Sequence, residues 1–219
     1  MAMRELWGSL IEAVGDDRDA MGYVLLDAAD EFQACIFNSL CGYYRVAASC
    51  LRNALDVSAI GAYLQLSQEN NDLHEWLDGK RKISFGEACD FLQSHPRVRA
   101  LEQHIGSKMD YSVFGQKHGQ QEPGWARFLF SRLSDFSHSR PNRTSAKMWE
   151  GSNGPIYVLG SFWEIFALYL DDMALEYVLV KLARPDFKQP DETRHLFKSA
   201  VRPSKVAIYS HEFLWQTAN

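Results

Sequence analysis

The chain has 219 residues, 46% of them hydrophobic and 23% charged, with a formal net charge of -5. That composition leaves no room for wholesale disorder, and the length suits one large domain with a substantial core. The acidic balance excludes a general nucleic-acid coat, so any contact with a phosphate chain has to come from a local basic patch.

Residues 3–14 carry Leu6, Trp7, Leu10, Ile11 and Val14 at helical spacing, closed by Gly15, which predicts a short docking helix. Residues 16 to about 30 continue in helix with Met21, Val24, Leu25 and Ala28 facing inward. No charged-then-apolar leader with a small-residue cleavage site opens the sequence, so a cytoplasmic location is expected.

The longest predicted element runs from about 30 to 66, with Phe32, Ile36, Leu40, Tyr43, Ala47, Leu51, Ala54 and Leu64 near a 3.5-residue repeat. Unbroken, it would extend roughly 55 Å. Its small residues, among them Ala47, Ala48, Ala54, Ala59, Gly61 and Ala62, let neighbouring helices approach closely and predict a central position. Arg45 and Arg52 stand one heptad apart, and Asp56 lies one turn beyond Arg52. An i,i+4 ion pair worth a few tenths of a kcal/mol is one reading, and an extension of a phosphate-binding surface is the other. Cys35, Cys41 and Cys50 fall in the same element and, with Cys89, form no CxxC pair; they read as small core residues in a reducing compartment.

Residues 68–82 turn polar around a short apolar segment at 73–77 and predict a solvated connection. Ser84-Phe-Gly-Glu87 is a capping-box pattern, with Ile83 and Ala88 placed as a staple, and starts a helix to about 93. Pro96 begins another that ends near Gly106. Residues 107–124 hold glycines at 115, 119 and 124 and no clean period, which predicts a long loop and a candidate lid containing His118.

The chemistry gathers in residues 125–141, WARFLFSRLSDFSHSRP, where Arg132 and His138 share one predicted helix. Phe128, Leu129, Leu133 and Phe136 mark a buried face, while Ser131, Ser134, Asp135 and His138 recur on another. Asp135 is three positions from both Arg132 and His138 and can orient either. Between 127 and 147 the bases Arg127, Arg132, Arg140, Arg143 and Lys147 face one acid, Asp135. An arginine and a histidine suffice to cleave RNA without a metal: the imidazole moves the proton of the attacking 2'-hydroxyl, and the guanidinium fork neutralises the phosphate oxygens. Spacing alone is weak, because Arg97 and Arg99 precede His104 at similar gaps. No phosphate-loop, HExxH or zinc-type spacing occurs, so neither cofactor nor metal is expected.

Residues 142–155 form a second irregular stretch containing Trp149. The most apolar run, 156–183, is interrupted by Glu164, Asp171, Asp172 and Glu176, which excludes a membrane span and predicts an amphipathic helix ending near Ala183, before Pro185. Two further helices are expected from Pro190 and Pro203, with a short strand at 206–209 as an alternative.

Arg132-x5-His138 near a helix end, followed by Pro141, a loop and a long amphipathic helix, resembles the HEPN superfamily. YRVAASCLRNALD, ending at Asp56, is similar to the long second helix of HEPN-like proteins of bacterial defence. The resemblance covers about residues 30–182. It implies an all-α, HEPN-like bundle with additional short helices, a single domain over 1–219 whose appendages are helices in 3–29 and 190–217. It further implies a homodimer acting as a metal-independent endoribonuclease on single-stranded RNA, a toxin or antiviral defence effector restrained by an antitoxin or regulatory partner. Arg132 and His138 would be catalytic, Asp135 orienting, and Arg127, Arg140, Arg143 and Lys147 RNA-binding. Many active members carry a polar residue directly after the arginine, and here it is Leu133. The alternative is therefore a catalytically inactive HEPN-like module that docks a protein or nucleic-acid partner.

Overall fold

The computed structural model describes residues 7, 8, 10, 11, 19–67, 70–106, 112–116, 123–137, 157–187, 194 and 214, and all the regular structure among them is α-helix. Seven helices follow in order: α1 (Ala20–Leu40), α2 (Tyr44–Ser67), α3 (Asn70–Leu77), α4 (Phe85–Ser94), α5 (Pro96–Gly106), α6 (Trp125–Ser137) and α7 (Leu159–Ala183). The expected all-α class is what the chain adopts. The expected helices at 190–217, the strand alternative at 206–209, and most of 3–14 lie outside the described residues, although Trp7 and Leu10 are buried, with the Trp7 ring on Phe32 of α1.

The single rod expected over 30–66 is two helices. The chain reverses at Cys41 and Gly42, where the Tyr43 N–H donates to the Asn38 carbonyl at 2.8 Å and the Gly42 N–H to the Ser39 carbonyl at 3.2 Å. Gly42 has φ 81°, so this is the left-handed glycine cap that satisfies the last carbonyls of a helix and turns the chain away. The apolar period runs straight through the break, which is why periodicity missed it. Leu40 and Tyr43, counted as core in that period, are 55% and 43% exposed. Cys41 is exposed too, while Cys35, Cys50 and Cys89 are buried. The same cap ends α3 at Gly79, φ 70°.

Folded back, α1 and α2 form an antiparallel pair, and α2 also packs against α4, α6 and α7. Ala47, Ala48, Ala54, Ala59 and Ala62 are almost fully buried there. Gly61 sits so close to the Val24 side chain that an added methyl group would overlap it. Tyr44, also fully buried, fixes the start of α7: its hydroxyl accepts from the Val158 N–H at 2.6 Å and donates to the Val158 carbonyl at 3.0 Å. Val158 has no side-chain cap of its own, so the tyrosine supplies one from another helix. At the opposite end, Asp19 caps α1 through the Gly22 N–H at 2.8 Å and pairs with Arg184 just past α7, Nε to Oδ2 2.9 Å.

The polar connection after α2 is pinned rather than solvated throughout. Arg81 pairs with the buried Asp72 carboxylate and donates to the Tyr63 hydroxyl at 2.8 Å. Ser84 caps α4 by accepting from the Glu87 N–H at 3.2 Å, as its motif predicts. In the long stretch before α6, residues 112–116 are held down: Glu102 accepts from the Ser112 hydroxyl and from the Val113 and Phe114 N–H groups, at 2.7, 3.0 and 3.1 Å. Val113 and Phe114 are fully buried, so this part of the candidate lid is core. His118 lies outside the described residues. Among the described residues no helix is long and apolar enough to cross a membrane.

Gly42→Ala is expected to cost about 1–2 kcal/mol, because a Cβ disfavours the left-handed cap. Gly160→Ala, in the first turn of α7 with open space around it, should instead stabilise by up to about 1 kcal/mol. Urea midpoints of the two variants should shift in opposite directions.

Candidate functional site

On α6, Leu129, Leu133 and Phe136 are buried as the period predicts. Two residues differ from it: Phe128, assigned inward, is 45% exposed, and Asp135, assigned outward, is 3% exposed. They lie seven positions apart on the same side of the helix, so cover increases along that side toward the C-terminal end. Asp135 is thus an acid of the bundle interior.

Arg132 stands on the open side. Its Nη2 donates to Glu164 Oε1 of α7 at 3.1 Å, with side-chain exposures of 38% and 33%. An ion pair this accessible is worth about 0–1 kcal/mol, so a competing anion can take the guanidinium at small cost. Arg127 differs. Its Nε donates to the Phe114 carbonyl at 2.8 Å and its Nη2 to Asp90 Oδ1 at 2.6 Å, and its side chain is 17% exposed. Arg127 ties residues 112–116 and α4 to α6. His138, Arg140, Arg143 and Lys147 lie outside the described residues, as do Trp149 and the side chain of His104. Arg97, from one of the rival spacings, donates to the Leu182 carbonyl at the C-terminal end of α7, 3.2 Å.

The residue that spacing undervalued is Arg52. Its Nε donates to the Ser134 hydroxyl of α6 at 3.0 Å, and its guanidinium carbon sits 4.6 Å from the centre of the Phe130 ring. Phe130 stacks in turn on Phe85 of α4, centroids 4.0 Å apart and planes 5° from parallel. The i,i+4 ion pair with Asp56 gives way to these contacts; among the described residues Arg52 forms no ion pair. Glu164 had no signal at all, being 32 residues from its partner.

Next to this cluster runs an acidic groove of about 530 Å³ between α1 and α2, lined by Asp27, Asp30, Glu31, Asn53 and Asp56 among others. Burial raises the pKa of Asp56, and the charge on Arg52 acts the other way. Helix α1 carries no basic residue to offset these carboxylates.

A second titratable group is sealed in the core. Asp172 and Glu176, one turn apart on α7, are both fully buried, and neither carboxyl has a hydrogen-bond partner among the described residues. Burial drives Asp172 well above the usual carboxylate range, with Glu176 and Asp171 adding to the rise. Burial likewise pushes Glu176 up to about 8. Ser58, fully buried on α2, acts against that rise, but its hydroxyl falls short of hydrogen-bonding geometry. Burial also pushes up the nearby Cys35 thiol, and it raises Cys50 and Cys89 each to about 12, which leaves these thiols unreactive. Among the described residues no group of three His, Cys, Asp or Glu could hold a metal ion.

These features define an all-α bundle in which Arg52 packs on the Phe130–Ser134 face of α6, while Arg132, two positions from each, projects to the other side toward Glu164 of α7. No family model, curated protein or solved structure matches the chain.

The buried pair sets a pH dependence. An unfolded chain releases the Glu176 proton near 4.5, whereas the folded chain holds it to about 8, so the folded state binds more protons between those values and loses stability as pH rises. Glu176→Gln should remove a loss of up to about 1.4 kcal/mol per pH unit in that window. Urea denaturation at pH 5 and pH 8 measures it: the variant should gain on wild type by about 1–3 kcal/mol at the higher pH, and equal differences at both values would contradict the assignment.

Proposed function

We propose that the protein is a metal-independent endoribonuclease of the HEPN type, cleaving single-stranded RNA through attack of the 2'-hydroxyl on the adjacent phosphorus. The observation that carries the reading is the accessibility of Arg132. It lies on the open side of α6, and among the described residues its one partner is the half-buried Glu164. Arg132 would neutralise the phosphate oxygens and His138 would move the proton. Arg140, Arg143 and Lys147 would track the backbone beyond the helix. Arg127 and Asp135 take smaller parts than their spacing implied: the first is occupied by Phe114 and Asp90, the second is an interior acid. A homodimer and a restraining antitoxin or regulatory partner belong to the same proposal.

One observation favours the alternative, a non-catalytic docking module. Phe37, Leu40, Tyr43 and Val46 around the α1–α2 turn are exposed, and so are Tyr157, Leu159 and Trp163 at the start of α7. The Tyr44–Val158 bonds join these two regions at one end of the bundle. Exposed apolar residues gathered at one end mark an interaction surface.

Incubation with a labelled single-stranded RNA in EDTA separates the two readings. The nuclease reading expects cleavage to a 2',3'-cyclic phosphate and a 5'-hydroxyl, with His138→Ala slower by about 100-fold or more. Equal and negligible rates for wild type and variant leave the docking module.

A further inference from the structure

Three arginines reach α6 or belong to it, and their hydrogen bonds rank them. Arg127 spends Nε and Nη2 on Phe114, Gly86 and Asp90. Arg132 spends an Nη on Glu164. Arg52 spends only Nε, on the Ser134 hydroxyl, and no described residue accepts from either of its Nη atoms. Its plane is steadied by Phe130, itself stacked on Phe85, so the guanidinium is held from below and from one edge while the fork that matches two phosphate oxygens stays open. Arg52 and Ser134 are both only partly buried, which gives an anion a way in.

A guanidinium that is restrained before binding loses less freedom when it binds, and one whose acceptor is a neutral hydroxyl breaks no hydrogen bond to a carboxylate, although Asp56 one turn away still feels its charge. Arg132 has to surrender Glu164 first.

We infer that Arg52 is the principal phosphate-binding guanidinium of the protein, on the Phe130–Ser134 face of α6, its two Nη atoms gripping one phosphodiester of single-stranded RNA, with Ser134 and Phe130 positioning it. The inference rests on the ribonuclease reading for the identity of the anion. The acidic groove beside it, with Asp27, Asp30 and Glu31, repels a second phosphate and sends the strand along the α6 side of α2.

The test separates binding from turnover. Affinity for a 2'-O-methyl single-stranded oligonucleotide, which cannot be cleaved, is measured by fluorescence anisotropy across a salt series, and cleavage of the matching RNA is followed in parallel. Arg52→Gln should weaken binding about tenfold and lower the slope of log K against log salt by about 0.7, the share of one phosphate on a single strand. Arg52→Lys keeps the charge and the stem over Phe130 but loses the fork, so it should restore the slope and only part of the affinity. It also guards against a glutamine variant that fails to fold. Arg132→Gln should cost less binding than Arg52→Gln. His138-dependent cleavage by wild type, with Arg52→Gln matching it in slope and rate, would overturn the inference and leave the ribonuclease reading standing. Binding that depends on Arg52 without His138-dependent cleavage would keep the anion site and remove the nuclease. An oligonucleotide that wild type does not bind would end both.

Discussion

The fold depends on the burial of α2 between four other helices. A helix can be enclosed by α1, α4, α6 and α7 only if its side chains are short where the neighbours come closest, and the alanines together with Gly61 meet that requirement. Enclosure then dictates what its longer residues do. Tyr44 has to bond Val158, because a phenol buried without a partner would cost about 1–3 kcal/mol, and in doing so it sets the start of α7. Arg52 has to find the seam between α4 and α6, where Phe130 and Ser134 receive it. The placement of a cation beside the helix that bears Arg132 follows from packing.

The same enclosure makes Asp172 and Glu176 costly. Two carboxyls one turn apart, without hydrogen bonds among the described residues, are retained in the core because the folded chain keeps them protonated above their ordinary range. Neutral acids in an apolar seam act as polar filler. Ionised, they would be two like charges in a medium that screens them poorly. The α2–α7 seam is therefore the part of the bundle whose integrity is tied to pH, whereas the Arg52 cluster, lying between α2 and α6, shares no hydrogen bond with it among the described residues.

The sequence made the helical class legible because apolar residues recur at helical spacing nearly throughout, and it located α4, α5 and α7 through Ser84, Pro96 and Pro185, whose local chemistry starts or stops a helix wherever they stand. It misplaced the α1–α2 boundary because Leu40 and Tyr43 keep the period across Gly42; the glycine's positive φ was the deciding signal, and a count of apolar positions does not contain it. Asp135 was assigned to the wrong environment for a related reason. A helical wheel gives direction but not how far neighbours extend along the helix, so Phe128 and Asp135 share a side and differ in cover. Pairings such as Arg132 with Glu164, or Arg52 with Ser134 across 82 residues, are set by the packed bundle and leave no local trace.

Charge placement limits how a strand could lie. A protein with net charge -5 attracts RNA only where its negative surface is interrupted, and here the interruption is narrow: the α1–α2 groove with its four carboxylates begins one turn from Arg52. At physiological salt, fields from exposed charges fade over about 8 Å, so a phosphate at Arg52 feels both the guanidinium and the edge of that groove. If Arg52 holds a phosphate as inferred, the carboxylates of the groove keep the strand off the α1 side of α2.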